Sequence, residues 1–206
     1  MRVIPRHLMA TSTISCHTLL GLLSEFYEDL PERPPLEAAV VDPDDIPQPQ
    51  RGLLVHYNDM TSTLQNHFGE PIALRVLDRK LDHDYYCRHI VLETAGTRRP
   101  AEYGAIRVHL PSLDESARAE VLEGRTPMGK ILNGRRLIYR CCPGAFFRVF
   151  SNELINQSLR LDRSEWLFGR CNCLSGEQGR TIAEVIEILP SAAGLAVDAP
   201  GRPEPS

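Results

Sequence analysis

The sequence predicts an α+β fold: a single domain in which a mainly antiparallel β-sheet carries short helices packed on it. Between residues 51 and 192, runs with strand-like alternation outnumber helical ones, and short polar turns separate them, as antiparallel neighbours require. The chain has 206 residues, with 42% hydrophobic and 24% charged content, enough for one core but not for two once its polar ends are set aside.

The elements follow in chain order. Leu19, Leu20, Leu22, Leu23 and Phe26 recur with helical period, so residues 1–30 are expected to supply an N-terminal amphipathic helix that ends before Pro31. Residues 31–50 contain Pro31, Pro34, Pro35, Pro43, Pro47 and Pro49 among several acids, which disfavours helix and ladder alike and predicts an extended linker. The domain proper is expected over 51–192. Residues 193–206, which end in VDAPGRPEPS, lack core-forming groups and are expected to be disordered.

Within the domain, Asn58 or Asp59 can cap a short helix carrying Met60, Leu64 and Phe68 that closes at Gly69. Residues 72–79 alternate, placing Ile72, Leu74 and Val76 on one side and Ala73, Arg75, Leu77 and Arg79 on the other. Strands at 86–92 and 104–110 follow, separated by a polar turn at 96–100. Ser112 and Glu115 form a capping box ahead of a helix that stops at Gly124. Thr126 and Pro127 then open a second short helix over 128–132. Strand patterns resume at 136–140, 146–150, 166–174 and 181–189, with Ser175, Gly176 and Gly179 marking the last hairpin.

Several function classes lose support. A net charge of −4 gives no electrostatic reason to expect nucleic acid as a partner. No apolar run approaches the ~20 residues needed to span a bilayer, and His17, Glu25, Glu28 and Asp29 interrupt any export signal, so no membrane association and a cytoplasmic location are expected. There the six cysteines would be reduced. Neither Cys141-Cys142 nor Cys171-x-Cys173 has the spacing that lets two sulfurs converge on zinc, so no metal is expected. Nucleophile-elbow, phosphate-loop and dinucleotide motifs are missing, and no cofactor is implied.

Two groups of charged residues can carry chemistry. Arg75 and Arg79, on one face of the predicted strand, can present two guanidiniums to a carboxylate; Arg88 and Arg107 lie on neighbouring strands. In TIAEVIEIL, Glu184 shares a face with Ile182, Ile186 and Ile188, and Glu187 shares the other with Ala183, Val185 and Leu189. A carboxylate on an apolar face is costly unless paired or neutral, which makes either a candidate acid or base.

NDMTSTLQ (58–65), YYCRHIVL (85–92), TPMGKIL (126–132) and LSG followed by an AE pair and ILP (174–190) occur in the order in which the chorismate lyase family carries similar segments. The chain resembles that family over roughly 53–190. The resemblance implies a carbon–oxygen lyase that eliminates pyruvate from chorismate to leave a hydroxybenzoate, with no cofactor. It further implies Arg79 or Arg75 on a substrate carboxylate, with Arg88 on the matching Y-x-x-R-x-I-x-L strand. The Met128 N–H would orient the substrate, and Glu184 or Glu187 would bond the ring hydroxyl or assist proton transfer. Glu184 and Arg79 are the catalytic candidates; Arg75, Arg88, Met128 and Glu187 are the substrate-binding ones. The partner implied is a small aromatic or cyclohexadiene carboxylate.

The same fold resembles the effector-sensing domain attached to some winged-helix transcription regulators, which makes a non-catalytic binder of small aromatic acids the alternative. A DNA-binding domain needs about 60–70 residues. Only 50 residues precede the expected core, about 20 of them in the proline-rich stretch, which argues against a regulator in this chain.

Overall fold

The computed structural model describes residues 16–32, 34 and 36–197, without the side chains of 16–20. Seven strands form one antiparallel sheet: β1 (Glu37–Val40), β2 (Ile72–Asp82), β3 (Tyr85–Thr94), β4 (Pro100–His109), β5 (Arg140–Phe150), β6 (Trp166–Ser175) and β7 (Thr181–Leu189). Their spatial order is β1-β5-β6-β7-β4-β3-β2, so the hairpins β2-β3-β4 and β5-β6-β7 are joined in the middle by the pairing of β4 with β7. The helices are α1 (Cys16–Tyr27), α2 (Gln50–Leu54), α3 (Met60–Phe68), α4 (Glu115–Glu123), α5 (Met128–Gly134), α6 (Glu153–Leu159) and α7 (Ala192–Leu195). None is long and apolar enough to cross a membrane among the described residues.

Alternation gives the sheet two buried faces. On the outer face, Leu22, Leu23, Phe26 and Tyr27 of α1 and Ile155 and Leu159 of α6 pack on Val91, Tyr103, Phe147, Ile186 and Ile188. The other face is covered by α4 and α5 at one end, over Ile106, Val108, Leu174 and Val185. At the other end Leu53, Leu54, Met60, Leu64 and Leu195, from α2, α3 and α7, pack on Ile90, Leu92, Phe146 and Leu189. Burying a large aliphatic side chain contributes about 1.5–3 kcal/mol, so these two layers hold the sheet between helices on both sides.

The architecture agrees with the α+β class expected, and several local expectations are corrected. The stretch expected to be only linker contains β1, which pairs with β5 through Glu37–Phe150 and Val40–Phe147. The capping box at Ser112 does not form: Ser112 donates to Thr181 O at 2.8 Å, and Asp114 caps α4 by accepting from Ala117 N at 2.7 Å. Thr126 is not a cap either, since α5 begins at Met128 behind Pro127 without a side-chain bond. Residues 136–139 lie outside the strand that starts at Arg140. Asp59 and Gly69 do bound α3, the latter in the left-handed conformation at φ 69°. Leu19 and Leu20, expected on the packed face of α1, have side chains outside the description. Of the expected disordered tail, residues 198–206 lie outside the described residues and 193–195 belong to α7.

One irregularity alters the arginine pair. Val76 pairs with Ile90 but Asp78 pairs with His89, a bulge at Leu77 that inserts one residue into β2. Paired residues share a face, so Arg75 opposite Val91 points to the outer face, and Arg79 opposite Arg88 to the other. The two arginines expected on one face therefore stand on opposite faces.

Candidate functional site

A cavity of about 40 Å³ lies between the inner sheet face and the starts of α3 and α5. Its floor is built by cross-strand rows. Arg88, Ile106, Val185 and Asn172 face each other across β3, β4, β7 and β6. The adjoining row runs Ile90, Gly104, Glu187, Arg170. Leu74, Leu92 and Glu102 continue the floor, and Asp59, Met60 and Thr61 with Pro127, Met128 and Gly129 form the roof. Glycine is required at 104 because a Cβ there would stand 2.2 Å from Ile186 O and 3.2 Å from Glu102 Oε1. Gly129 lets α5 seat on Asp59, whose Oδ1 would lie 2.4 Å from an added Cβ.

Charge in this cavity is unevenly matched. Arg170, fully buried, pairs with Glu187 and donates Nη1 to Leu54 O at 2.9 Å and His56 O at 3.0 Å, and Nη2 to Asn58 O at 3.2 Å. It thereby fixes the α2–α3 connection to the sheet. Burial, reinforced by the Arg170 charge, pushes the His56 imidazole down to about 4. Arg88 is 1% exposed, donates Nη1 to Thr126 O at 3.3 Å, and leaves Nε without a partner among the described residues. Among the described residues no carboxylate lies within ion-pair distance of it, and burial lowers its guanidinium to about 10.

Opposite Arg88 the cavity is polar and incompletely satisfied. Glu102, 1% exposed, has no hydrogen-bond partner at Oε2 among the described residues, and the buried Asn172 amide has the Cys141 thiol beside it. Burial first, and then the Glu187 charge, hold the Glu102 carboxyl well above the usual carboxylate range, with Arg170 opposing. This environment favours the protonated form of Glu102, which can donate as well as accept. The roof is latched by Asp59: its Oδ1 caps α3 through Ser62 N at 2.8 Å, and its Oδ2 accepts from Asn133 at 3.1 Å and Tyr139 at 3.3 Å.

The sequence-predicted residues divide. Arg88, Met128 and Glu187 come together around the cavity. Glu184 does not: it is exposed on the outer face and pairs with Arg107 at 3.4 Å. Arg79 shares the cavity face but is exposed at its margin. Arg75 lies outside it, donating to Ser158 O at 3.1 Å beside Glu93 at 3.5 Å. Asp59 as a latch, Glu102, Arg170 and Asn172 were not anticipated. The available signal was the one applied to β7, a lone polar group at a position whose i±2 neighbours are apolar or glycine, as in Glu102-Tyr-Gly104-Ala-Ile106.

Neither a protein-family model nor a curated protein sequence matches the chain. Solved structures do resemble it. The effector domain of PhnF from Mycobacterium smegmatis superposes with a TM-score of 0.53 at 10% identity, over 65% of this chain and 89% of that domain. Whole PhnF gives 0.52 at 10% identity, over 66% of this chain, which spans 65% of PhnF's own length. The ligand-binding domain of a putative GntR-family transcriptional regulator from Bordetella bronchiseptica reaches 0.45 at 10% identity, over 58% of this chain and 86% of that one. The expectation of a carbon–oxygen lyase is corrected by the two PhnF matches, which lead to an effector domain rather than to an enzyme. Of the two acids named for that role, Glu184 stands on the opposite face of the sheet, and Glu187, which does line the cavity, is paired with Arg170. The domain has the chorismate lyase-like fold, in the form seen in the PhnF effector domain.

Proposed function

We propose that the protein is a non-catalytic sensor of a small organic acid and that Arg88 holds the ligand's carboxylate. The observation that carries this is a buried guanidinium with an open Nε and no counter-ion among the described residues, set in the wall of a cavity. A buried charge is costly until it is paired, and a ligand carboxylate supplies the missing partner through a forked hydrogen bond. Leu74, Ile90, Leu92, Ile106 and Val185 offer an apolar bed for the ligand's body. First-turn N–H groups of a helix have no intrahelical partner, so the Met128 N–H is a further donor. Glu102 and Asn172 suit a hydroxyl at the far end. A hydroxylated aromatic acid satisfies all of these groups together, and the likeness to the PhnF effector domain supports binding without turnover.

The cavity's 40 Å³ is far below the ~300–1,000 Å³ of ordinary ligand sites, so the ligand parts the roof as it enters. The starts of α3 and α5, latched through Asp59, are the walls that move, and their displacement is the sensor's output. A thermal-shift panel tests the proposal. Hydroxybenzoates should raise the melting temperature while the corresponding amides, which lack the charge, should not. Equal shifts from acids and amides, or none from any acid, would overturn it.

A further inference from the structure

The outer sheet face carries a second chemical feature, independent of the cavity. Cys142 on β5 and Cys173 on β6 are direct cross-strand partners. Opposed residues in an antiparallel pair have Cα atoms about 4.5 or 5.5 Å apart according to their hydrogen bonding, and both values lie inside the ~4.4–6.8 Å range of disulfides. Their side chains share a face, so rotation about each χ1 can bring the sulfurs together. Cys142 is exposed and Cys173 half-buried, whereas Cys87, Cys141 and Cys171 are buried. Cys173 Sγ also has hydroxyl neighbours, Ser175 Oγ at 3.5 Å and Thr181 Oγ1 at 3.9 Å, which can donate to a thiolate.

We propose that Cys142 and Cys173 form a redox-active dithiol, a modification site that closes by exchange with low-molecular-weight disulfides. The accessible Cys142 thiolate attacks one sulfur of glutathione disulfide; a Cys142–glutathione bond forms and one glutathione thiolate leaves. The Cys173 thiolate then attacks the Cys142 sulfur and expels the second glutathione. Two electrons pass from the protein pair to the external disulfide, and the two protein thiol protons end on the two released thiols. Cys141 cannot substitute for its neighbour: it points to the opposite face, opposite Leu174, and burial pushes its thiol up to about 12.

The test uses the full chain, reduced, desalted, incubated with glutathione disulfide, quenched with iodoacetamide and mapped by fragmentation mass spectrometry. The expected product is a peptide pair joined through Cys142 and Cys173, with two thiols lost to alkylation. C142S should leave Cys173 unlinked to any other cysteine, and C141A should retain the link. Recovery of both cysteines alkylated, persistent mixed disulfides on wild type, or a bond between any other pair would overturn the proposal. Mapping of the wild-type protein decides the matter even where a variant does not fold.

Discussion

Arg88 and Glu102 set the chemistry of the cavity from opposite sides, and each has a measurable consequence. Because the Arg88 charge is buried without a counter-ion, Arg88→Met should cost the empty protein nothing and raise its stability by about 1 kcal/mol in urea unfolding. Glu102 titrates high in the folded chain and near ~4.3 when unfolded. The native state therefore keeps a proton that the unfolded state releases, so the Glu102 contribution is complete below that pH and falls as pH rises toward the folded value. Relative to wild type, Glu102→Gln should gain stability as pH rises above about 4.5. His89 behaves oppositely, since burial holds it at about 4 among Phe26, Tyr27 and Tyr103. Its contribution is full above the unfolded value of ~6.5 and lost as pH falls to about 4, a swing of roughly 3 kcal/mol. A His89→Phe variant should flatten the acid limb of the unfolding profile by that order, and an unchanged limb would contradict the assignment.

At the level of elements, close approaches rather than helix lengths position the site. Gly104→Ala would drive a methyl into Ile186 O, between backbones that cannot both move, and should destabilise the fold by several kcal/mol in thermal or chemical unfolding. Asp59→Ala removes the α3 cap and both bonds across to Asn133 and Tyr139, a loss of about 1–2 kcal/mol, with faster hydrogen exchange at the start of α3. Local chemistry made parts of this legible: Asp59, Gly69 and Gly124 announce helix ends because capping is decided by neighbouring residues. The competition between Ser112 and Asp114 was not, because Ser112 is drawn to Thr181, distant in sequence. α6 escaped notice because seven residues supply barely two turns of periodicity. The bulge at Leu77 has no glycine to signal it, and one inserted residue was enough to send Arg75 and Arg79 to opposite faces.

For the whole molecule, the order of motifs carried more information than any residue within them. The collinear segments led correctly to the α+β class and the chorismate lyase-like fold, yet the activity attached to that fold did not follow, because function resides in a site and not in a topology. The central β4–β7 pairing brings two hairpins together so that Arg88 from one and Asn172 and Glu187 from the other enclose a single cavity. Arg170 then ties that cavity floor to the α2–α3 connection above it. Isothermal titration of the hydroxybenzoate giving the largest thermal shift, against wild type and Arg88→Met, tests the account most directly. It predicts one site per chain in the wild type and an affinity about 100-fold weaker in the variant, as expected for loss of a buried charge-assisted pair. Equal affinity in the two proteins, or no binding to the wild type, would contradict it.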